Sequence, residues 1–176
     1  MGTLISYLAD TIKETKRISA NLRPLTIDDL GLLATIEWYT RQFCQRYETI
    51  RVVCQIDVEE QEIPEEFKIV FYRIMQEALT NVARHSQADA VTIRLAKGAS
   101  YFEFEVEDNG CGFDTSNVFG APDRLSGFGL KSMQERAEIC GGVLNLRTRP
   151  NAGTSVKVSL PIAAASDFGS NESSPA

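Results

Sequence analysis

From Pro64 to about His85 runs the longest apolar period in the chain. Val70, Phe71, Ile74, Met75, Ala78, Leu79 and Val82 form one broad helical arc. Proline suits the first turn of such a helix. An arc this wide must be covered, and the flanking segments supply strands to cover it. IRVVCQIDV (50–58) precedes it, rich in β-branched residues, and AVTIRLAKG and YFEFEVED follow it as an alternating pair around a glycine-containing turn. Further on, LKSMQERAEIC reads as a helix that stops at Gly141 and Gly142, and VLNLRTR with GTSVKVSLP reads as a closing strand pair. This order predicts an α+β fold: a two-layer α/β sandwich with helices on one face of a mixed, mostly antiparallel sheet. A doubly wound nucleotide fold is disfavoured, because neither G-x-G-x-x-G nor G-x-x-x-x-G-K-[ST] follows the first strand.

Ahead of this core, Ile5, Leu8, Ile12, Thr15, Ser19 and Leu22 recur at spacings of three and four, the seam of a short helix that ends near Pro24. LRPLTIDDLGLL then reads as a connector. Its Asp28 or Asp29 is placed to cap a second helix to about Tyr47, with Leu32, Leu33, Ile36, Tyr39, Phe43 and Tyr47 on its inner side. The last stretch, AAASDFGSNESSPA (163–176), is small and polar and reads as a disordered tail.

The 176 residues suffice for one cored domain with a short helical element attached. The formal charge of −6, with Lys and Arg scattered, disfavours a nucleic-acid surface. No run of about eighteen apolar residues and no signal peptide are visible, which predicts a cytoplasmic domain, while a parent anchored in a membrane is compatible with this. Cys44, Cys54, Cys111 and Cys140 contain no C-x-x-C pair, so reduced thiols are expected and a zinc site is not.

Within the long helix, Asn81 falls inside the apolar arc and Glu77 at its edge. A buried amide or carboxylate costs several kcal/mol unless paired, so each either satisfies nearby backbone or faces a ligand cavity. Arg84 and His85 follow one turn later, and the four together suit a magnesium phosphate complex. Asp108 ends the strand YFEFEVED, with Gly110 and Gly112 just beyond. This is either a plain Asp-Asn-Gly turn or a carboxylate that accepts an exocyclic amine while the glycines let a flat base approach. Gly127 and Gly129 stand at the start of a helix, where free N–H groups and the helix dipole favour phosphates. The aperiodic residues 113–126 before them read as a lid. Gly153 and Thr154 begin the last strand, as a turn or as part of the same pocket.

In this order the motifs resemble those of the GHKL superfamily, with its Bergerat-type ATP-binding fold. ExxxNxxRH matches its N box, DNGCG its first glycine box, GFGL the second and GTS the last, over residues from about 50 to 161. LRPLTIDDLGL resembles the entry to the catalytic domain of sensor histidine kinases of the nitrate-sensor type. The resemblance implies ATP and Mg²⁺ as cofactors, with Asn81 holding the metal and Glu77 lining the same site. It implies Arg84 and His85 near ribose or phosphates, and Asp108 on the adenine amine with Gly110 beside it. Gly112 and Thr154 would complete the base pocket, and Gly127, Gly129 and Leu130 would touch the phosphates. The implied activity is transfer of the ATP γ-phosphoryl to a histidine, and then to a response-regulator aspartate, within a homodimeric parent. On this reading residues 1–23 are the end of a dimerisation and phosphoacceptor hairpin, 24–31 the connector, 32–162 the ATP-binding domain and 163–176 the tail. The sole histidine, His85, belongs to the nucleotide site, so the acceptor histidine is expected on a domain missing from this chain. Met1 would then begin a fragment that does not phosphorylate itself. Two alternatives are a serine kinase of the anti-sigma type and a nucleotide-sensing interaction module without phosphotransfer. The connector argues against the first, and the Glu77–Asn81 pair against the second.

Overall fold

The computed structural model describes residues 25–114 and 128–162. The expected seam helix of residues 1–23, Pro24, most of the expected lid together with Gly127, and the tail lie outside the described residues.

Helix α1 (Leu25–Arg46) is two helical pieces joined at Gly31, whose φ of 81° and ψ of 175° break the helix. Only glycine takes such a conformation without strain. The first two N–H groups after the break are capped from outside the helix rather than from the Asp28–Asp29 side. The carboxylate of Glu60, in a short 3-10 turn (Glu60–Glu62) that follows β1 (Arg51–Asp57), accepts the N–H groups of Leu32 and Leu33 at 2.8 Å each. The same carboxylate lies 3.0 Å from the ammonium of Lys68, near the start of α2 (Glu65–Asn81). One side chain thus ties α1 to α2.

Helix α2 runs straight into a π-helical turn (Val82–Ser86), and Gln87 ends it in a left-handed conformation (φ 55°). Then come the antiparallel pair β2 (Ala90–Lys97) and β3 (Tyr101–Asp108), helix α3 (Phe128–Ile139), and the pair β4 (Val143–Thr148) and β5 (Thr154–Pro161). Both hairpins agree with the strand alternation. The sheet order is β1-β2-β3-β5-β4, parallel between β1 and β2 and antiparallel elsewhere.

Strand residues point to alternate faces, and among the described residues only one face is covered. Val91, Ile93 and Leu95 of β2, Phe102, Phe104 and Val106 of β3, and Val156, Val158 and Leu160 of β5 are buried beneath the helices. Phe71 of α2 stacks on Phe104 with ring centroids 5.3 Å apart, and Phe67 meets Phe102 edge-on at 6.0 Å. Each such pair contributes about 0.5–1.5 kcal/mol beyond area burial. The opposite face carries ion pairs, Arg94 with Glu105 and Glu107, and Lys157 with Glu103, as expected of a solvated surface. Among the described residues the sheet is therefore open on one side. No helix of the described residues is long and apolar enough to cross a membrane.

Candidate functional site

The alternation that buries Phe102, Phe104 and Val106 carries on to Asp108, so this carboxylate emerges on the core face at the end of β3. Thr154 lies opposite it in register, with Val156 opposite Val106. At this end of the sheet α2 gives way to the π-helical turn, and among the described residues α3 starts at Phe128. The result is a cavity of about 500 Å³ between sheet and helices.

Its helical wall is Glu77, Ala78, Asn81 and Val82, and its sheet wall is Val106, Asp108, Thr154 and Val156. Arg84, His85 and Ser86 of the π-helical turn, Gly112 and Phe113 of the loop after β3, and Gly129 and Leu130 of α3 close the sides. Of the residues predicted from sequence, Glu77, Asn81, Arg84, His85, Asp108, Gly112, Gly129, Leu130 and Thr154 thus line one cavity. Gly110 does not line it but supports it, donating its N–H to Asp108 Oδ1 at 2.8 Å. Gly127 lies outside the described residues. The sequence reading missed Ala78, Val82, Ser86, Val106, Phe113 and Val156. The valines were visible as inward strand and helix positions next to Asp108 and Asn81, whereas Ser86 and Phe113 carried no such signal.

Glu77 and Asn81 are one helical turn apart, both half-buried. Among the described residues no hydrogen bond or ion pair engages the Glu77 carboxylate or the Asn81 amide. Both side chains are thus available to whatever fills the cavity. The start of α3 comes close to Glu77. Gly129, the second residue of α3, lies so close that a Cβ there would overlap the Glu77 carboxylate.

Asp108 is 8% exposed. Burial pushes its carboxyl above the ordinary range of an aspartate, against the N–H groups of Gly110 and Thr154, which favour the ionised form. An apolar slot lined by Val106 and Val156 with one buried acceptor at its end suits a flat base that bears an amine. The surrounding loops are cross-tied. Ser86 O accepts the Cys111 N–H at 2.7 Å, Gly110 O accepts the Gly153 N–H at 2.9 Å, and the Thr148 hydroxyl accepts the Phe113 N–H at 3.0 Å. The π-helical turn puts Arg84 and His85, both exposed, on the rim of this slot. Such turns are rare and cluster at functional sites.

Comparison with known proteins adds independent support. The sequence profile of the family described as "Histidine kinase-, DNA gyrase B-, and HSP90-like ATPase" matches residues 68–164. The signal transduction histidine-protein kinase/phosphatase DegS of Brevibacillus brevis is 34% identical over 159 residues, covering 90% of this chain and 40% of that protein. The oxygen sensor histidine kinase NreB of Staphylococcus carnosus (strain TM300) is 36% identical over 151 residues, covering 86% of this chain and 42% of that protein. The chain therefore spans less than half the length of these relatives. Among solved structures, the histidine kinase domain of the Erythrobacter litoralis EL346 blue-light activated histidine kinase has a TM-score of 0.65 at 21% identity, over 81% of this chain and 66% of that one, which shows the shared fold. With the open-faced sheet, the cavity at the end of β3 and the profile match in agreement, the chain belongs to the family of histidine kinase-, DNA gyrase B- and HSP90-like ATPases.

Proposed function

We propose that this chain is the ATP-binding catalytic domain of a two-component sensor histidine kinase. The observation that carries the proposal is the pair of unengaged polar side chains, Glu77 and Asn81, facing a buried acceptor, Asp108, across one cavity. The relatives named as histidine kinases favour this class over a serine kinase of the anti-sigma type. A match over 90% of the chain reaches well ahead of the family profile, into the region of the connector.

On this reading Asp108 accepts the adenine amine, with Val106 and Val156 against the base. Gly112 and Thr154 complete that end of the pocket. Arg84 and His85 approach ribose and phosphates, and Gly127, Gly129 and Leu130 meet the phosphates at the start of α3. The unengaged amide of Asn81, with Glu77 beside it, fits a hard cation with oxygen ligands, and Asn81 would hold Mg²⁺. When bound, Mg²⁺ neutralises phosphate charge during transfer. The protein contributes positioning and exclusion of water more than covalent chemistry. The acceptor is a histidine on the dimerisation domain of a homodimeric parent, and a response-regulator aspartate receives the phosphoryl group next. We read residues 1–23 as the end of that dimerisation hairpin, 24–31 as the connector and 32–162 as the catalytic domain, located in the cytoplasm.

Calorimetry tests the pocket. ATP should bind the wild-type chain more tightly with Mg²⁺ than without, and Asn81→Ala should abolish that difference. An equal Mg²⁺ effect in both proteins would remove Asn81 from the metal site.

A further inference from the structure

Beside the cavity, and not lining it, Thr148 at the end of β4 joins three parts of the site through one hydroxyl. It accepts the N–H of Phe113 at 3.0 Å, donates to the carbonyl of Gly153 at 3.1 Å and lies 3.2 Å from the hydroxyl of Thr154. Phe113 and Thr154 both line the cavity. A threonine hydroxyl has a single proton to donate. Gly153 O can only accept, so the proton of Thr148 is committed there. The proton in the Thr148–Thr154 bond must then come from Thr154. Its own donor spent, Thr154 can offer the cavity only lone pairs, as the ionised carboxylate of Asp108 does.

From this geometry we propose that Thr148 determines base specificity without touching the base, by fixing the proton of Thr154 so that this end of the pocket presents acceptors alone. A 6-aminopurine brings N–H donors to such a surface. A 6-oxopurine puts a carbonyl oxygen where the amine was and moves its one N–H to ring position 1, so at position 6 its oxygen meets acceptors and no donor. Thr148 is therefore a positioning residue that makes the pocket reject an oxo group as well as accept an amine. The inference rests on the reading of Asp108 and Thr154 as the adenine end of the site.

The experiment compares ATP with ITP, which carries an oxo group in place of the 6-amine and a proton on N1, by calorimetry on the full chain. Thr148→Val keeps the shape of the side chain and removes its oxygen, which releases the Thr154 proton toward the cavity. The preference for ATP over ITP should fall by about tenfold, the size of one hydrogen bond, mostly through tighter ITP binding. Thr148→Ser should restore the wild-type preference. Adding Thr154→Val to Thr148→Val should erase the gain for ITP, because no hydroxyl is left to donate. If the valine variant does not fold, as judged by circular dichroism, Thr148→Ala is read in its place with the same expected direction. Equal weakening of both nucleotides, or an unchanged preference, would overturn the proposal. Failure of the wild-type chain to bind ATP would instead overturn the reading of the pocket on which it rests.

Discussion

Gly129 of α3 lies directly against the carboxylate of Glu77 on α2, leaving no room for a Cβ: one built there would overlap Oε1 and stand 2.9 Å from Cδ. The atoms in the way are the far end of a flexible side chain, so it is Glu77 rather than backbone that must give. Gly129→Ala should therefore leave the melting temperature within a few degrees of wild type and move the carboxylate away from its place on the cavity wall. Displacement of a group by about 1 Å can cost about a hundredfold in rate. Phosphotransfer by the folded variant should fall by about tenfold or more, and an unchanged rate would show that the placement of Glu77 is irrelevant.

Asp108 links binding to stability with opposite signs. Its carboxyl holds a proton more tightly in the fold than in the unfolded chain, mainly because it is buried. The group therefore favours folding at low pH, and that contribution is lost as pH rises through its folded pKa. At neutral pH the buried charge is a cost. Asp108→Asn should leave the nucleotide-free protein at least as stable as wild type at pH 7, while ATP affinity falls by about 1.5–3 kcal/mol through loss of a charge-assisted hydrogen bond. Thermal melts and calorimetry on one preparation check both halves. Lower stability with unchanged affinity would make Asp108 a structural residue only.

Glu60 makes the opposite case. Burial raises its carboxyl, but the N–H groups of Leu33 and Leu32 and the Lys68 ammonium outweigh this and hold it below the ordinary glutamate range. Its contribution to stability is thus present at neutral pH and is lost as pH falls below about 4.5 through the folded pKa. Glu60→Ala should destabilise the domain by about 1–3 kcal/mol, from two orphaned helix N–H groups and a weakened partner for Lys68. The difference from wild type should shrink in acid. A constant difference from pH 7 to pH 3 would show that the charge of Glu60 contributes nothing.

The contrast between Asp108 and Glu60 also shows what could be read in the sequence. Strand alternation is local, so Phe102, Phe104, Val106 and Asp108 could be assigned to one face from their order alone. Asn81 stood out because a polar residue interrupted an apolar arc. Glu60 could not be read as a cap, because its partners Leu32 and Leu33 lie on an element that no local period connects to it. Asp28 and Asp29 had the more favourable position in sequence, yet Gly31 breaks the helix after them and starts a new one that faces Glu60. The parallel pairing of β1 with β2 was equally hidden, because it depends on how α2 crosses the sheet. Thr148 looked like an ordinary strand residue. Its importance comes from Gly153 and Thr154, which the β4–β5 turn brings beside it.

The most direct test of the kinase assignment is transfer to an imidazole. The chain should be incubated with γ-labelled ATP and Mg²⁺, alone and together with the dimerisation and phosphoacceptor segment that the proposed function calls for. Alone it should gain no acid-labile, base-stable phosphate, since His85, its sole histidine, lines the cavity proposed to hold the nucleotide. With the segment in trans, label of that chemistry should appear on the partner, slowly because the tether that raises effective concentration is missing. Asn81→Ala should abolish it in a protein that melts like wild type. Label that is acid-stable, as on serine, or strong self-labelling of the isolated chain, would contradict the account.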